Sequence, residues 1–305
     1  MRENFQLSEL CEALGISRSG YYAARERPTG ARARANQQLV ETMKTIHAHR
    51  YTRSSGSPRM PRQLRACGQA CSKNRVARLM QIHGLRARPR RPFRPKTTTP
   101  DHGAHPSPHL LAEAAPPTVP GVQLVNDICQ RPPTLPFGRP AAGYLAPLDS
   151  YIPIAEGWLY LAVVIDLFSR CVLGWKLSES LHSDLATAAI SRALDTGLVT
   201  RGAIFHSDRG CQSSAALTRD LLKRAGLLQS MGAKGYCDDN AFAESAFASI
   251  EADLFADGHP FPTRRAATTA LFDYFETFYN RRRLHRSLAD RSPHDFLNDY
   301  FKNHH

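Results

Sequence analysis

The chain has 305 residues, 42% of them apolar, with 40 Lys/Arg against 27 Asp/Glu and a net charge of +13. That length allows one large domain or a core plus smaller modules. No run of eighteen apolar residues offers a membrane span, and the charged start MRENFQLSEL lacks the apolar stretch of an export signal.

Seven scattered cysteines, with no export signal, predict reduced thiols in a cytoplasmic protein. Cys67 and Cys71, with His83 downstream, fall short of a zinc set, which wants a tighter pair and a second pair. The charge is unevenly spread. Residues 1–100 hold 21 Lys/Arg against 5 Asp/Glu, and residues 101–305 hold 19 against 22. A basic first third on a near-neutral body is the footprint of a nucleic-acid-binding arm, or of a basic tail kept for solubility.

Residues 6–26 read as helix, turn, helix, with Ser8 and Ser17 as caps and Gly15 in the turn. Leu39, Met43 and Ile46 place a further helix over 37–50. Residues 57–85 repeat the helix-turn-helix pattern. Pro61 is early in one helix, Gly68 ends it, Ser72 caps the next and Gly84 closes it. The second helix carries Lys73, Arg75 and Arg78 on its outer face, as a helix laid in a major groove would. A helical hairpin with a solvated basic face has the same pattern. Residues 86–121, opening RARPRRPFRPK, are too rich in proline for regular structure and read as a linker. Arg88, Arg90 and Arg91 in it are suited to tracking phosphates.

From residue 122 the pattern changes. Strands are predicted over 122–127, 158–166, 170–178, 203–208 and 227–231, and helices over 182–196, 214–225, 240–255 and 264–283. Three antiparallel-type strands followed by alternating helices and strands indicate an α/β core of ribonuclease-H type. The expected division is a helical segment at 1–50, a second DNA-binding segment at 51–90, a linker at 91–121 and the catalytic core at 122–300.

Cutting and rejoining a phosphodiester needs an activated oxygen nucleophile and a stabilised leaving oxygen. Two Mg²⁺ ions supply both, held by carboxylates from separate elements. Asp208, in IFHSDRGCQ, ends a buried strand at the carboxyl edge of the sheet. Glu244, in NAFAES, follows after a gap of 35 residues, one turn inside a helix.

HSDRG, that gap and NAFAES resemble the integrase core of bacterial insertion-sequence transposases of the second-reading-frame type. GWLYLAVVIDLFSR, the GW at 174–175, YNRRRLHRSL, SPHDF, LGISRSGYY and SGSPRM are similar to the same family in order and spacing. The resemblance implies an Asp-Asp-Glu triad holding two Mg²⁺ or Mn²⁺ ions, cleavage of DNA by water, and strand transfer by a DNA 3′-hydroxyl. It further implies a homo-oligomer on double-stranded transposon ends and target, located with the bacterial nucleoid, and a possible upstream-reading-frame partner. Asp208 and Glu244 carry over as the second and third acids.

The first acid has two candidates, because some twenty extra residues at 130–150 interrupt the family's motif. Asp127, in VNDIC, keeps the apolar neighbour Ile128. Asp149 stands two residues before Tyr151, where the family's spacing is three, and that parity turns a strand residue to the other face. Asp127 is the expected acid, with Asp149 as runner-up. Asp166 matches a position outside the triad and reads as a turn or capping aspartate. His206 either positions Asp208 or fills the core. Arg282 and Arg283, in a basic cluster after the last aromatic helix, are candidates for phosphate contact, with a plain solvated face as the alternative. Glu251, seven residues after Glu244, stands where the family usually has a basic residue. That departure and the interruption keep open two other outcomes: a DNA-binding relic that represses transposition, or a nuclease without strand transfer.

Overall fold

The structure is a computed structural model. It describes residues 6–26, 30–87, 107–129, 152–155, 157–180, 183–207, 216–232, 241–254 and 261–304. Arg88, Arg90, Arg91, Asp149 and Asp208 lie outside the described residues, and the side chains of Glu244 and Glu251 do too.

Helices α1 (Leu7–Ala13) and α2 (Arg18–Glu26) form the first hairpin. Gly15 turns it at φ +63°, and Ser17 caps α2 by accepting from Gly20 N at 3.0 Å. The start of α1 is set by Glu9, whose carboxylate accepts from Gln6 N at 3.0 Å, so the expected cap at Ser8 sits two residues too late.

Helices α3 (Ala31–Ala48), α4 (Met60–Ala66) and α5 (Lys73–Ile82) share one core of Leu39, Val40, Met43, Ile46, Met60, Leu64, Val76, Leu79 and Met80. The boundary expected at 50/51 therefore cuts a packed unit, because α3 buries its apolar stripe against α4 and α5 rather than against α1 and α2. Polar contacts pin the same packing. Gln69 Nε2 donates to Thr42 Oγ1 at 3.0 Å, and Arg75 places Nε and Nη2 on Asn36 Oδ1 at 2.9 and 2.7 Å. Ser72 and Gly84 cap and close α5 as expected, with Ser72 Oγ accepting from Arg75 N at 3.4 Å and Gly84 at φ +66°. A short helix, α6 (Leu110–Glu113), falls inside the stretch expected to be linker.

The region from residue 123 onward is built on β1 (Gln123–Cys129), β2 (Ile152–Ile154), β3 (Gly157–Asp166), β4 (Val172–Ser178), β5 (Ile204–Ser207) and β6 (Leu228–Met231). β3 lies between β1 and β4, antiparallel to both. β1, β5 and β6 run parallel, which completes a mixed six-stranded sheet with β2 against the start of β3.

One face of the sheet is covered by α7 (Ser183–Asp195) and α8 (Ala216–Ala225), through Leu185, Ala189, Ile190 and Leu222. The other is covered by α9 (Ala241–Leu254) and α10 (Arg264–Phe272), with Phe247, Ile250 and Leu254 packed on Leu161, Val163 and Ile165. α10 continues through a π-helical stretch, Asp273–Tyr279, into a last turn at Asn280–Arg282, and α11 (Pro293–His304) ends the described chain. Gly174 lets α7 lie directly on β4: a Cβ there would run into the Ala189 carbonyl and stand 2.7 Å from Ala193 N.

Candidate active site and nucleic-acid interface

Strand alternation decides which groups meet on which face. Asp127 on β1 is opposite Val163, which belongs to the core beneath α9, whereas Asn126 is opposite Val164, which belongs to the core beneath α7 and α8. Asp127 therefore stands on the α9 face, near the carboxyl end of β1, and α9 packs against that strand. Its side chain is half-buried, and Oδ1 accepts from Ile128 N at 2.8 Å.

The neighbouring strand β5 runs parallel, with Asn126 opposite Ser207. Ser207 is the last described residue before Asp208. Among the described residues no group of three His, Cys, Asp or Glu side chains converges as a metal site; of the three expected acids, Asp127 alone has a described side chain.

His206 on β5 is fully buried. Its Nδ1 lies 2.9 Å from Ser230 Oγ, which also accepts from Leu111 N at 3.2 Å, and its ring stands 5.3 Å from that of His109. It ties β5 to β6 and α6. Asp166 at the end of β3 is a turn residue: Gly121 N donates to Oδ1 at 3.0 Å, and Ser169 N and Oγ donate to Oδ2 at 2.9 and 2.6 Å.

The expected DNA-binding side chains divide. Lys73 and Arg78 are exposed on α5, and Arg282 is exposed after the π-helical stretch. Arg75 is half-buried and engaged with Asn36. Arg283 is a correction. It is buried, and its Nε donates to Asp253 Oδ2 at 2.9 Å, so it is spent inside the protein. Burial works against its charge, but Tyr274, Asp253 and Tyr279 around it hold its pKa above the ordinary value.

Asp253 is the residue that sequence reasoning missed. It is 1% exposed and serves four groups. Oδ1 accepts from Ser54 Oγ at 2.8 Å and faces Arg59 Nη1 at 3.9 Å. Oδ2 accepts from Arg283 Nε and from Tyr274 Oη, the latter at 3.1 Å. An aspartate three positions after Ile250 on an apolar helix was the available signal, since a buried carboxylate demands partners. The 49–62 segment is fastened at two further points. Tyr51 Oη donates to Asp273 Oδ2 at 2.5 Å, with its ring packed against those of Tyr274 and Phe278, and Arg62 pairs with Asp290 at 3.0 Å.

Comparison with known proteins adds to this geometry. The integrase core domain family matches residues 148–237, and an HTH-like domain family matches residues 34–93. The first match begins where the 130–150 interruption ends, so it spans Asp149 and Asp208 but neither Asp127 nor Glu244. The second covers the α3–α5 unit. Transposase InsF for insertion sequence IS3A of Escherichia coli is 35% identical over 297 residues, covering 96% of this chain and 94% of its own. The insertion element IS600 uncharacterized 31 kDa protein of Shigella sonnei is 31% identical over 291 residues, covering 95% and 98%. Among solved structures, the catalytic core domain of BIV integrase covers 61% of this chain and 99% of its own, at 13% identity and a TM-score of 0.39.

Proposed function

The chain belongs to the family of insertion-sequence transposases that includes InsF of IS3, and we propose that Asp127, Asp208 and Glu244 are its catalytic acids, cutting the ends of its element and joining them to target DNA. One observation carries the choice of Asp127: it stands on the sheet face that α9, the helix containing Glu244, covers. Asp208 follows Ser207 by one peptide bond. Ser207 is paired with Asn126, so the first two acids each come next after a matched pair on adjacent parallel strands.

The donor set fits the metal. Three carboxylates are hard oxygen ligands of the kind Mg²⁺ and Mn²⁺ take, and the described one is half-exposed near the carboxyl end of β1. When bound, a metal pair activates the attacking oxygen and stabilises the leaving one. The protein's own contribution is to hold three carboxylates on rigid elements. Water first displaces a DNA 3′-hydroxyl from phosphorus, and that hydroxyl then attacks a target phosphodiester, one bond forming as one breaks in each step.

Lys73, Arg75, Arg78 and Arg282, with Arg88, Arg90 and Arg91 of the linker, are assigned to double-stranded DNA. The α5 side chains sit in the major groove and the others on phosphate. A protein that acts on two ends and a target works as a homo-oligomer at the nucleoid, with an upstream-reading-frame product as a possible companion.

The test is cleavage of DNA carrying the element's ends, in Mg²⁺ or Mn²⁺. Asp127→Ala, Asp208→Ala and Glu244→Ala should each abolish cutting and leave DNA binding intact, while Asp149→Ala should cut normally. Normal cutting by Asp127→Ala with loss in Asp149→Ala would transfer the first place to Asp149.

A further inference from the structure

The Asp253 cluster lies at the joint between the DNA-binding unit and the catalytic helix. Asp253 is on α9, nine residues after Glu244, and a helix rises about 1.5 Å per residue, so the two lie about 13 Å apart along one rigid element. The groups around Asp253 come from three places in the chain. Ser54 and Arg59 belong to the connection between α3 and α4, Tyr274 belongs to the π-helical stretch, and Arg283 follows it.

A buried carboxylate is a poor way to gain stability, because apolar residues of the same volume would hold the helix as well. It is a good way to fix register. Asp253 accepts three hydrogen bonds and faces a second guanidinium, and these are satisfied together only at one axial and rotational setting of α9. Two of the four groups are supplied by the segment whose position depends on how the α3–α5 unit is seated.

We propose that Asp253 is a positioning residue. Through it, the seated 51–59 segment sets α9, and with it the Glu244 carboxylate, in the arrangement that completes the acid triad. The α3–α5 unit and the third acid are then parts of one assembly, and DNA held on α5 is presented at a fixed offset from the acids. This rests on Glu244 as the third acid, so Glu244→Ala is carried alongside as the control for that reading.

The measurements use the full chain: Mn²⁺ affinity by electron paramagnetic resonance, DNA affinity, and the single-turnover rate of end cleavage. Ser54→Ala removes one donor and leaves the Arg283 pair in place. By loosening the setting of the helix that carries Glu244, it should weaken Mn²⁺ binding by up to about tenfold, the size of effect seen when a metal ligand loses its orienting support. Cleavage should slow by about 10- to 100-fold, with DNA affinity unchanged. Ser54→Thr, which keeps a hydroxyl, should restore both. Asp253→Asn, checked for folding by circular dichroism, keeps the shape but loses the charge, and should behave as Ser54→Ala or worse. If Ser54→Ala and a folded Asp253→Asn bind Mn²⁺ and cleave as the parent does, Asp253 only staples the fold and the inference is overturned. Should Glu244→Ala also leave Mn²⁺ affinity and cleavage intact, the failure belongs to the triad assignment instead.

Discussion

Asn126 on β1 and Ser207 on β5 lie opposite each other in the parallel ladder; each is 1% exposed, and among the described residues neither the Asn126 amide nor the Ser207 hydroxyl has a hydrogen-bond partner. Each immediately precedes a proposed catalytic acid. Unsatisfied buried groups cost about 1–3 kcal/mol each, whereas replacing both by apolar groups of similar shape is neutral or stabilising. The double variant Asn126→Leu/Ser207→Ala should therefore raise the urea midpoint, by an amount corresponding to about 1–3 kcal/mol. A lowered midpoint would mean that an ordered water bridges the pair and that the polar seam is structural.

His285 gives the fold a titration of known sign. Burial, with Arg283, Arg170 and Arg59 around it, pushes its imidazole down to about 3. In the unfolded chain a histidine titrates near pH 6.5. Between those values the unfolded state takes up a proton that the folded state refuses. The native state is thus fully favoured above about pH 6.5 and loses ground as pH falls towards 3. Tyr279, whose ring meets His285 edge-on, is held up at about 12 by burial and stays neutral throughout. Melting temperatures followed from neutrality down to about pH 4.5 should fall less steeply for His285→Gln than for the parent. Parallel curves would put the acid sensitivity in another group.

Much of this was legible in local pattern. Periodicity and caps located α2, α5 and α7, and the apolar run at 158–166 gave the central strand, because those signals sit within one turn or one strand. What failed was what depends on packing between distant segments. α3 pairs with α4 and α5 rather than closing an N-terminal segment, since its stripe of Leu39, Val40, Met43 and Ile46 has no local mark of its partner.

The basic cluster in YNRRRLHRSL divides: Arg281, Arg282 and Arg286 are exposed, whereas Arg283 goes to Asp253, and the neighbouring Asn280 pairs through both side-chain atoms with the Val172 backbone at 3.0 Å. SPHDF likewise proves to be a cap, with Ser292 Oγ accepting from Asp295 N at 3.2 Å at the start of α11. At the site itself, the face on which Asp127 stands follows only from the register of β1 against β3, which no spacing in the sequence reveals.

The division among the arginines predicts different consequences for DNA binding. Each phosphate contact removed should lower the slope of log affinity against log salt by about 0.9. Lys73→Ala and Arg78→Ala, on the exposed face of α5, should each do so while leaving thermal stability unchanged. Arg283→Ala should leave the slope alone and destabilise the protein by about 3–5 kcal/mol, because it strands a buried carboxylate. Were Arg283→Ala to flatten the salt response in a stably folded protein, its pairing with Asp253 would have to open on DNA.

Glu251 carries the remaining question about strand transfer. It is on α9 seven residues after Glu244, two turns along the same side of the helix. A carboxylate there repels the phosphates that a lysine would attract. Glu251→Lys should therefore bind DNA more tightly and increase joined product relative to nicked product, with the gain greatest at low salt, where such contacts are least screened. An equal rise in nicking and joining would indicate better capture of the ends alone. An unchanged product pattern at every salt concentration would place residue 251 away from the DNA path and remove the case that this departure impairs the enzyme.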